Sequence, residues 1–196
     1  MTEIEPVPAA TVVLVRAAKE EANLEVLLLQ RNSKLAFHGG HWVFPGGRLD
    51  ESDYDGRLKD NFEYPAALNA AVRETREEAG VEIEQSQLIH TAHWTTPPNL
   101  PRRFSTWFFI CPLFEPVSVS IDNAEILDHR WVSPRGALED AKAQKWVLPR
   151  PTMTTLSDIV AYNDLGALIS ALKSGAIRVF PKDSDYYRPI EMGYTE

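Results

Sequence analysis

Hydrophobic and polar positions fall into blocks that read as strands and helices in alternation. Residues 11–16 (Thr-Val-Val-Leu-Val-Arg) and 24–30 (Leu-Glu-Val-Leu-Leu-Leu-Gln) are apolar runs of strand length. The polar stretch at residues 19–23 joins them as a hairpin. Trp42-Val43-Phe44-Pro45-Gly46-Gly47 reads as a short strand ending in a turn free of side chains, where backbone amides and carbonyls can approach a ligand or metal closely. An acidic loop at residues 50–63 follows. The alanine-rich stretch 66–72 then predicts a helix, with Pro65 in its first turn and Gly80 as its left-handed stop. Strands are expected at residues 88–95, 104–114 and 126–132, the first two separated by the turn-rich segment 96–101. Ser133-Pro134 is an N-cap and first-turn pair for a helix through Lys142. Beyond the stiff connector Leu148-Pro149-Arg150-Pro151, Thr155-Leu156-Ser157-Asp158 looks like the capping-box start of a helix, and residues 165–172 form another. The pattern contains no repeat and no low-complexity segment. It predicts a mixed α/β fold with helices flanking a sheet.

The end of the first helix is energetically odd. Arg73-Glu74-Thr75-Arg76-Glu77-Glu78-Ala79-Gly80 crowds three carboxylates at the negative end of the helix dipole, with Glu74 and Glu78 a like-charge i,i+4 pair costing roughly 0.2–0.5 kcal/mol. A compensating cation would relieve this. Arg73 and Arg76 supply part of it if the run is only a solvated face. A hard divalent metal, which takes carboxylate oxygens together with water and substrate phosphates, would supply more. The run alone leaves both readings open, and the glycine turn upstream tips the balance toward metal.

Composition narrows the choice. The 196 residues suit a single domain with a full core, and no span is apolar enough to cross a membrane. The acidic start Met1-Thr2-Glu3-Ile4-Glu5 lacks a signal-peptide profile, and the one cysteine, Cys111, lies in an apolar run as core filler. These features fit a cytoplasmic protein. A net charge of −8 argues against a nucleic-acid partner and, since a bound cation inverts the charge logic of an acidic site, agrees with metal-assisted binding of an anion. The five histidines form no zinc pattern, His90 and His93 being expected on opposite faces of their strand. There is no GxxxxGK[ST] phosphate loop. Oligomeric state is open, and a homodimer is compatible with the chain.

Phe44-Pro45-Gly46-Gly47 followed by Arg73-Glu74-x-x-Glu77-Glu78-x-Gly80 resembles the box that marks the Nudix hydrolase superfamily, whose members cleave a nucleoside diphosphate linked to another moiety. Thr75 stands where an aliphatic residue is more usual. One position departs: the glutamate expected eight residues before the arginine is Pro65. The chain between Gly47 and Arg73 is also longer by about a dozen residues, on the order of one extra loop. Glu63 and Glu51 are the nearby acids that might replace that glutamate, though neither has its spacing. Upstream, Leu27-Leu28-Leu29-Gln30-Arg31-Asn32, Gly40 and the FPGG turn look like a degraded coenzyme A signature, with Ala36 in place of an arginine. Trp94-Thr95-Thr96-Pro97-Pro98, Arg102-Arg103-Phe104-Ser105-Thr106 and Pro149-Arg150-Pro151-Thr152 resemble the subgroup that contains the peroxisomal coenzyme A diphosphatase and its bacterial relatives. The Gly193-Tyr194-Thr195-Glu196 terminus is not a peroxisomal address.

The resemblance implies an α/β/α sandwich with a mixed sheet and an appended C-terminal helical segment. It divides the single domain into an N-terminal extension at 1–10, an insertion at 48–64 and a C-terminal extension at 150–196. It implies Mg²⁺ or Mn²⁺ held by Glu77, Glu78 and the Gly47 carbonyl, with Glu74 a further ligand or the base; Glu74, Glu78 and Arg73 are the catalytic residues, Arg73 by orienting the carboxylates. Glu125 and Glu115 are the candidate general bases. Arg31, Arg102, Arg103 and Gly46 are the candidate substrate contacts, and Trp94, Phe104 and Trp107 either pack the core or line a nucleobase pocket. The implied substrate is a small-molecule nucleoside diphosphate derivative. Coenzyme A or acyl-coenzyme A is the first reading; ADP-ribose, NADH or a dinucleoside polyphosphate is the second. A Nudix-fold binding or regulatory module that has lost catalysis is the alternative of another class, favoured by Pro65 and the insertion. A plain α/β protein with a solvated acidic helix remains the third.

Overall fold

A computed structural model of the protein describes residues 4–18, 23–35, 38–57 and 59–194 (of Asp60, the backbone only). Its centre is a mixed sheet in the order β3-β2-β1-β6-β5-β8, with β4 paired to β1 and β7 to β2. The strands are β1 (Val7–Ala17), β2 (Leu24–Arg31), β3 (Trp42–Val43), β4 (Gly46–Arg48), β5 (Ile89–Thr95), β6 (Phe104–Leu113), β7 (Ile126–Val132) and β8 (Arg178–Phe180). β1 runs parallel to β6 along its whole length, and β5 runs parallel to β8. The central strands are near-continuous apolar runs because both faces of the sheet are covered. Ala10, Val12, Leu14, Trp107, Phe109 and Cys111 face α1 (Glu63–Ala79). Val13, Val15, Phe108 and Ile110 face α2 (Pro134–Lys142), α3 (Arg150–Ile159) and α4 (Leu165–Ser174). The result is the expected α/β/α sandwich.

α1 lies close to the sheet because Ala66, Ala67, Ala70 and Ala71, all fully buried, form its inner face. Alanine combines the highest helix propensity with the smallest side chain, so the helix forms readily and packs close. Thr75, in a slot usually aliphatic, is also fully buried; its hydroxyl donates to the Ala71 carbonyl at 2.7 Å and so carries no unmet polar group into the core. Gly80 ends the helix at φ 65°. There Ser120 N donates to the Ala79 carbonyl at 2.8 Å, and a Cβ on Gly80 would meet Ser120 O at 2.9 Å.

Several boundaries differ from expectation. Val7–Ala10 are not an extension but the start of β1, paired with Phe104–Trp107 of β6. Thr155–Asp158 do not begin a helix: α3 starts at Arg150, with Pro151 in its first turn, and these residues close it. The C-terminal segment is only partly helical, since it adds β8, and residues 181–194 fold back on the α1 side, where Met192 joins the core and its carbonyl accepts from Tyr64 N at 2.9 Å. Glycines 46 and 47 form a strand rather than a free turn. β1 and β2 pair antiparallel up to Ala17 opposite Leu24, whereas most of the connecting polar stretch (19–22), Ala36 and the last two residues lie outside the described residues. Among the described residues no helix is long and apolar enough to cross a membrane.

The two histidines of β5 correct the simple alternation rule. A register shift between His90 and Ala92 turns both rings to the same face, each 5.0 Å from Trp107 and both beside Tyr187. Burial lowers His90 from its ordinary 6.5 to about 4, and burial aided by His90 lowers His93 to about 3. Both fold as neutral rings. A depressed folded-state pKa contributes stability that is complete above 6.5 and is lost as pH falls toward the folded value. His90 sits among the rings of Tyr64, Trp107, Phe109 and Tyr194, so a phenyl ring suits its place. Relative to wild type, His90→Phe is therefore expected to gain stability as pH drops from 6.5 toward 4, by up to about 1.4 kcal/mol per pH unit. Denaturant unfolding of both proteins across that range checks this, and a constant difference would contradict it.

Candidate active site

The site forms where β4 is squeezed between β1 and α1. Val12 N donates to the Pro45 carbonyl at 2.9 Å, and β4 then pairs with residues 9–11 of β1. A Cβ on Gly46 would stand 2.3 Å from the Ala10 carbonyl oxygen, and one on Gly47 would stand 2.3 Å from Oε1 of Glu74. Neither position has room for a side chain, which brings the backbone of β4 into direct contact with the acidic turn of α1. Gly46 N donates to Glu78 Oε2 at 2.9 Å, so helix and strand are joined at the carboxylates themselves.

Two arginines organise these acids. Arg73 Nη1 donates to Glu74 Oε1 at 2.8 Å and to Glu77 Oε2 at 3.1 Å, while Nη2 reaches the Arg48 carbonyl at 3.0 Å. Its other edge faces the insertion: Nε and Nη2 donate to Asp53 Oδ1 and Oδ2 at 3.1 and 2.9 Å, and Asp50 lies 3.8 Å away. The Asp53 bonds are the largest influence raising the Arg73 pKa further above its ordinary value. On the opposite side Arg31 stands 3.4 Å from Glu78 and 3.6 Å from Glu125. Six carboxylates (Asp50, Asp53, Glu74, Glu77, Glu78 and Glu125) therefore share two guanidinium groups. Burial pushes the Glu78 carboxyl up to about 8 against the Gly46 hydrogen bond, with Glu74 and Glu125 pushing the same way. Burial also raises Glu74, opposed by Arg73.

Among the described residues no three histidine, cysteine, aspartate or glutamate side chains are grouped to hold a metal ion as they stand; the acids are engaged by Arg73, Arg31 and Gly46 N. The chemistry of the donors nevertheless fits a hard divalent cation. Carboxylate oxygens of Glu74 and Glu78 meet a glycine strand with no side chain in the way, Glu77 stands beside them on Arg73, and negative charge is in excess.

The sequence candidates divide. Arg73, Glu74, Glu77, Glu78, Gly46, Gly47, Arg31 and Glu125 come together. Glu115 sits exposed beyond the end of β6, outside this network. Arg102 is exposed in the turn before β6. Arg103 is a correction: it is 4% exposed, donates to the Thr96 carbonyl at 3.0 Å and to the Ile4 carbonyl at 2.5 Å, and lies over Tyr186. Its guanidinium ties the start of β1 to the 96–103 turn and does not line the acidic site. Trp107 is fully buried, and Trp94 stacks on Phe180 at 3.9 Å, so both pack the interior rather than line a base pocket. Neither acid considered as a substitute for the glutamate absent at Pro65 faces Arg73. Glu63 accepts from Trp107 Nε1 at 2.8 Å, and Glu51 is exposed beside Lys59. The buried acid opposite Arg73 is Asp53, which sequence reasoning missed because it counted the box acid back from Arg73 through the inserted residues rather than forward from Gly47.

A family model described as NUDIX domain matches residues 5–153. Nudix hydrolase 7 of Caenorhabditis elegans is 28% identical over 174 residues, covering 71% of this chain and 57% of its own length. An acyl-coenzyme A diphosphatase of Xenopus laevis is 25% identical over 237 residues, covering 75% of this chain and 62% of its own. The chain thus spans about three fifths of the length of these curated relatives. A NUDIX hydrolase structure from Alicyclobacillus acidocaldarius superposes with a TM-score of 0.74 at 24% identity, over 87% of this chain and 96% of that one.

The two glycines differ in what a methyl group would meet. Gly46→Ala collides with the backbone of β1, which cannot yield, and should lose about 1–3 kcal/mol of stability. Gly47→Ala meets the movable carboxylate of Glu74 and should lose less. Thermal melts of the two variants test the order, and the reverse order would contradict the squeezed-strand geometry.

Proposed function

The chain belongs to the NUDIX domain family, and on that premise we propose that it is a Mg²⁺- or Mn²⁺-dependent hydrolase of the diphosphate linkage in nucleoside diphosphate derivatives. The observation that carries this reading is the surplus of acid at the glycine strand, six carboxylates sharing two arginines. Such a site repels a bare diphosphate and accepts one that arrives with a divalent cation. Glu74, Glu78 and the Gly47 carbonyl would hold the ion, joined by Glu77, whose half-exposed side chain Arg73 Nη1 holds at 3.1 Å. When bound, the metal neutralises phosphate oxygens and lowers the pKa of a water molecule.

The chain's own groups do the rest. Arg73 orients Glu74 and Glu77 through one nitrogen. The amide of Gly46 orients Glu78. Arg31, between Glu78 and Glu125, keeps Glu125 near the reacting region, which makes it the better of the two candidate bases. Coenzyme A or acyl-coenzyme A is the favoured substrate. The Leu27-Leu28, Arg31, Gly40 and FPGG pattern supports it, as does the acyl-coenzyme A diphosphatase among the relatives. ADP-ribose, NADH or a dinucleoside polyphosphate is the alternative. We assign the protein no nucleic-acid partner, and a cytoplasmic setting agrees with its composition.

The test is turnover on coenzyme A, acetyl-coenzyme A, ADP-ribose, NADH and a dinucleoside polyphosphate, with Mg²⁺ or Mn²⁺. Chelation should abolish activity and added metal restore it. Glu78→Gln should reduce kcat/KM by about 100-fold or more, and Glu125→Gln should lower kcat by on the order of 100-fold. Glu115→Gln should stay within about twofold, being outside the site. Binding without turnover of any substrate would favour a regulatory module. Preference for a substrate lacking the pantetheine arm would overturn the coenzyme A assignment alone.

A further inference from the structure

Glu125 sits on an exposed loop just before β7, yet a general base must be held at a fixed place. Its ion pair with Arg31 is 3.6 Å long and its side chain is 59% exposed, so that contact is weak and does not hold the carboxylate by itself. The loop backbone has to do it. We infer that Asp122 and Asn32 are the positioning residues that hold Glu125 against Arg31. This rests on the proposed hydrolase reading of the site, in which Glu125 is the base.

The loop is folded around Asp122. Its Oδ2 accepts from Glu125 N at 2.9 Å, and its Oδ1 accepts from Ile126 N at 2.9 Å and Ala124 N at 3.2 Å. Asn123 turns the chain at φ 57°, a left-handed conformation that asparagine tolerates, and its Nδ2 donates to the Ile121 carbonyl at 3.2 Å. Burial pushes the Asp122 carboxyl up, but the amides of Glu125, Ile126 and Ala124 outweigh it and hold the group below its ordinary value. Asn32, the residue after Arg31, holds the carbonyl side of the same loop. Its N donates to the Glu125 carbonyl at 2.7 Å and its Nδ2 to the Ala124 carbonyl at 2.9 Å. Its Oδ1 accepts from Lys34 N at 3.1 Å, which keeps the amide turned that way.

Both peptide groups of Glu125 are thereby pinned, the amide by Asp122 and the carbonyl by Asn32. With the backbone fixed, the direction in which the side chain leaves it is fixed, and only its rotamers remain. The strands add to this. Gln30 lies opposite Asp128 and Arg31 opposite Ile126, so Leu127 is the extra residue of a bulge. A bulge bends its strand and re-aims the side chains next to it. Because Asn32 follows Arg31 directly, the residue that holds the loop also ties it to the guanidinium that stands 3.4 Å from Glu78 and 3.6 Å from Glu125. The clamp thus sets where the Glu125 carboxylate stands relative to Arg31 and Glu78.

The test compares Asp122→Ala, Asp122→Asn, Asn32→Ala, Glu125→Gln and the Asp122→Ala/Glu125→Gln double variant. The readouts are kcat and KM, the Mn²⁺ dissociation constant of the substrate-free protein, and amide hydrogen exchange at residues 124–126. Asp122→Ala is expected to lower kcat about tenfold and to speed exchange of the Glu125 amide. KM and Mn²⁺ binding should stay within about twofold, because the loop carries none of the proposed metal ligands. Asp122→Asn keeps an acceptor oxygen and should restore part of the loss. Asn32→Ala keeps the backbone bond to the Glu125 carbonyl and should lose about threefold. The double variant should be no slower than Glu125→Gln alone, because Asp122 acts through Glu125. If Asp122→Ala does not stay folded at assay temperature, Asn32→Ala in the two backgrounds carries the same comparison. Asp122→Ala with kcat within about twofold of wild type, where Glu125→Gln loses about 100-fold, would overturn the inference and leave the hydrolase reading intact. An equal loss in both backgrounds would do the same, since it would mark a merely structural role. Glu125→Gln with wild-type kcat would overturn the base assignment and the inference together. Wild type without turnover on any substrate would overturn the hydrolase reading itself and the positioning role with it.

Discussion

Arg73 is the contact on which the rest of the site depends. Its side chain reaches the end of β4 at the Arg48 carbonyl, the insertion at Asp53, and its own helix at Glu74 and Glu77. The β4–insertion segment and α1, 20 to 25 residues apart in sequence at these contacts, are held in register by one planar group with fixed donor directions. The cost is a charge brought into a partly buried place, and the pairing with Asp53 offsets it. Taking away Arg73 would leave the buried Asp53 carboxylate without its cation, whereas taking away Asp53 leaves Arg73 its contacts with Glu74, Glu77 and the Arg48 carbonyl. A lysine, with a single point charge, could not satisfy the same partners.

This contact is possible because the surrounding fold is compact at one place. The alanine face of α1 brings the helix close to β1, and the two glycines let β4 lie in the narrow space left between them. Helix backbone, strand backbone and carboxylates then crowd together with more negative than positive charge. An interior that raises the pKa of Glu78 and Glu74 by burial is unfavourable for the isolated chain. It becomes favourable once a cation shares those oxygens. Local destabilisation of this kind is how a site stores affinity for what it binds.

Much of this was legible in the sequence. α1 could be read because alanine propensity, the Gly80 stop and the clustered glutamates are local signals, and local signals survive folding unchanged. The central strands could be read because runs buried on both faces stay apolar throughout. Features made by long-range contact could not. Asp53 looked like one acid among several in a loop, since the inserted residues between it and α1 break the count back from Arg73. Arg103 looked like a phosphate grip until its hydrogen bonds to the carbonyls of Thr96 and Ile4 gave it a structural task. His90 and His93 were assigned to opposite faces by strict alternation, which a single bulge in β5 undoes. β4 was read as a turn because two glycines have no strand propensity; pairing with β1, not propensity, makes it a strand.

The central claim is that the acids around Arg73 and the glycine strand form a divalent-metal site. Anomalous diffraction at the manganese edge, from crystals grown with Mn²⁺, tests it most directly. The account predicts a peak among the Glu74, Glu77 and Glu78 carboxylates and the Gly47 carbonyl, with Arg73 still forked onto Asp53. A peak at other residues, or none at saturating Mn²⁺, would contradict it.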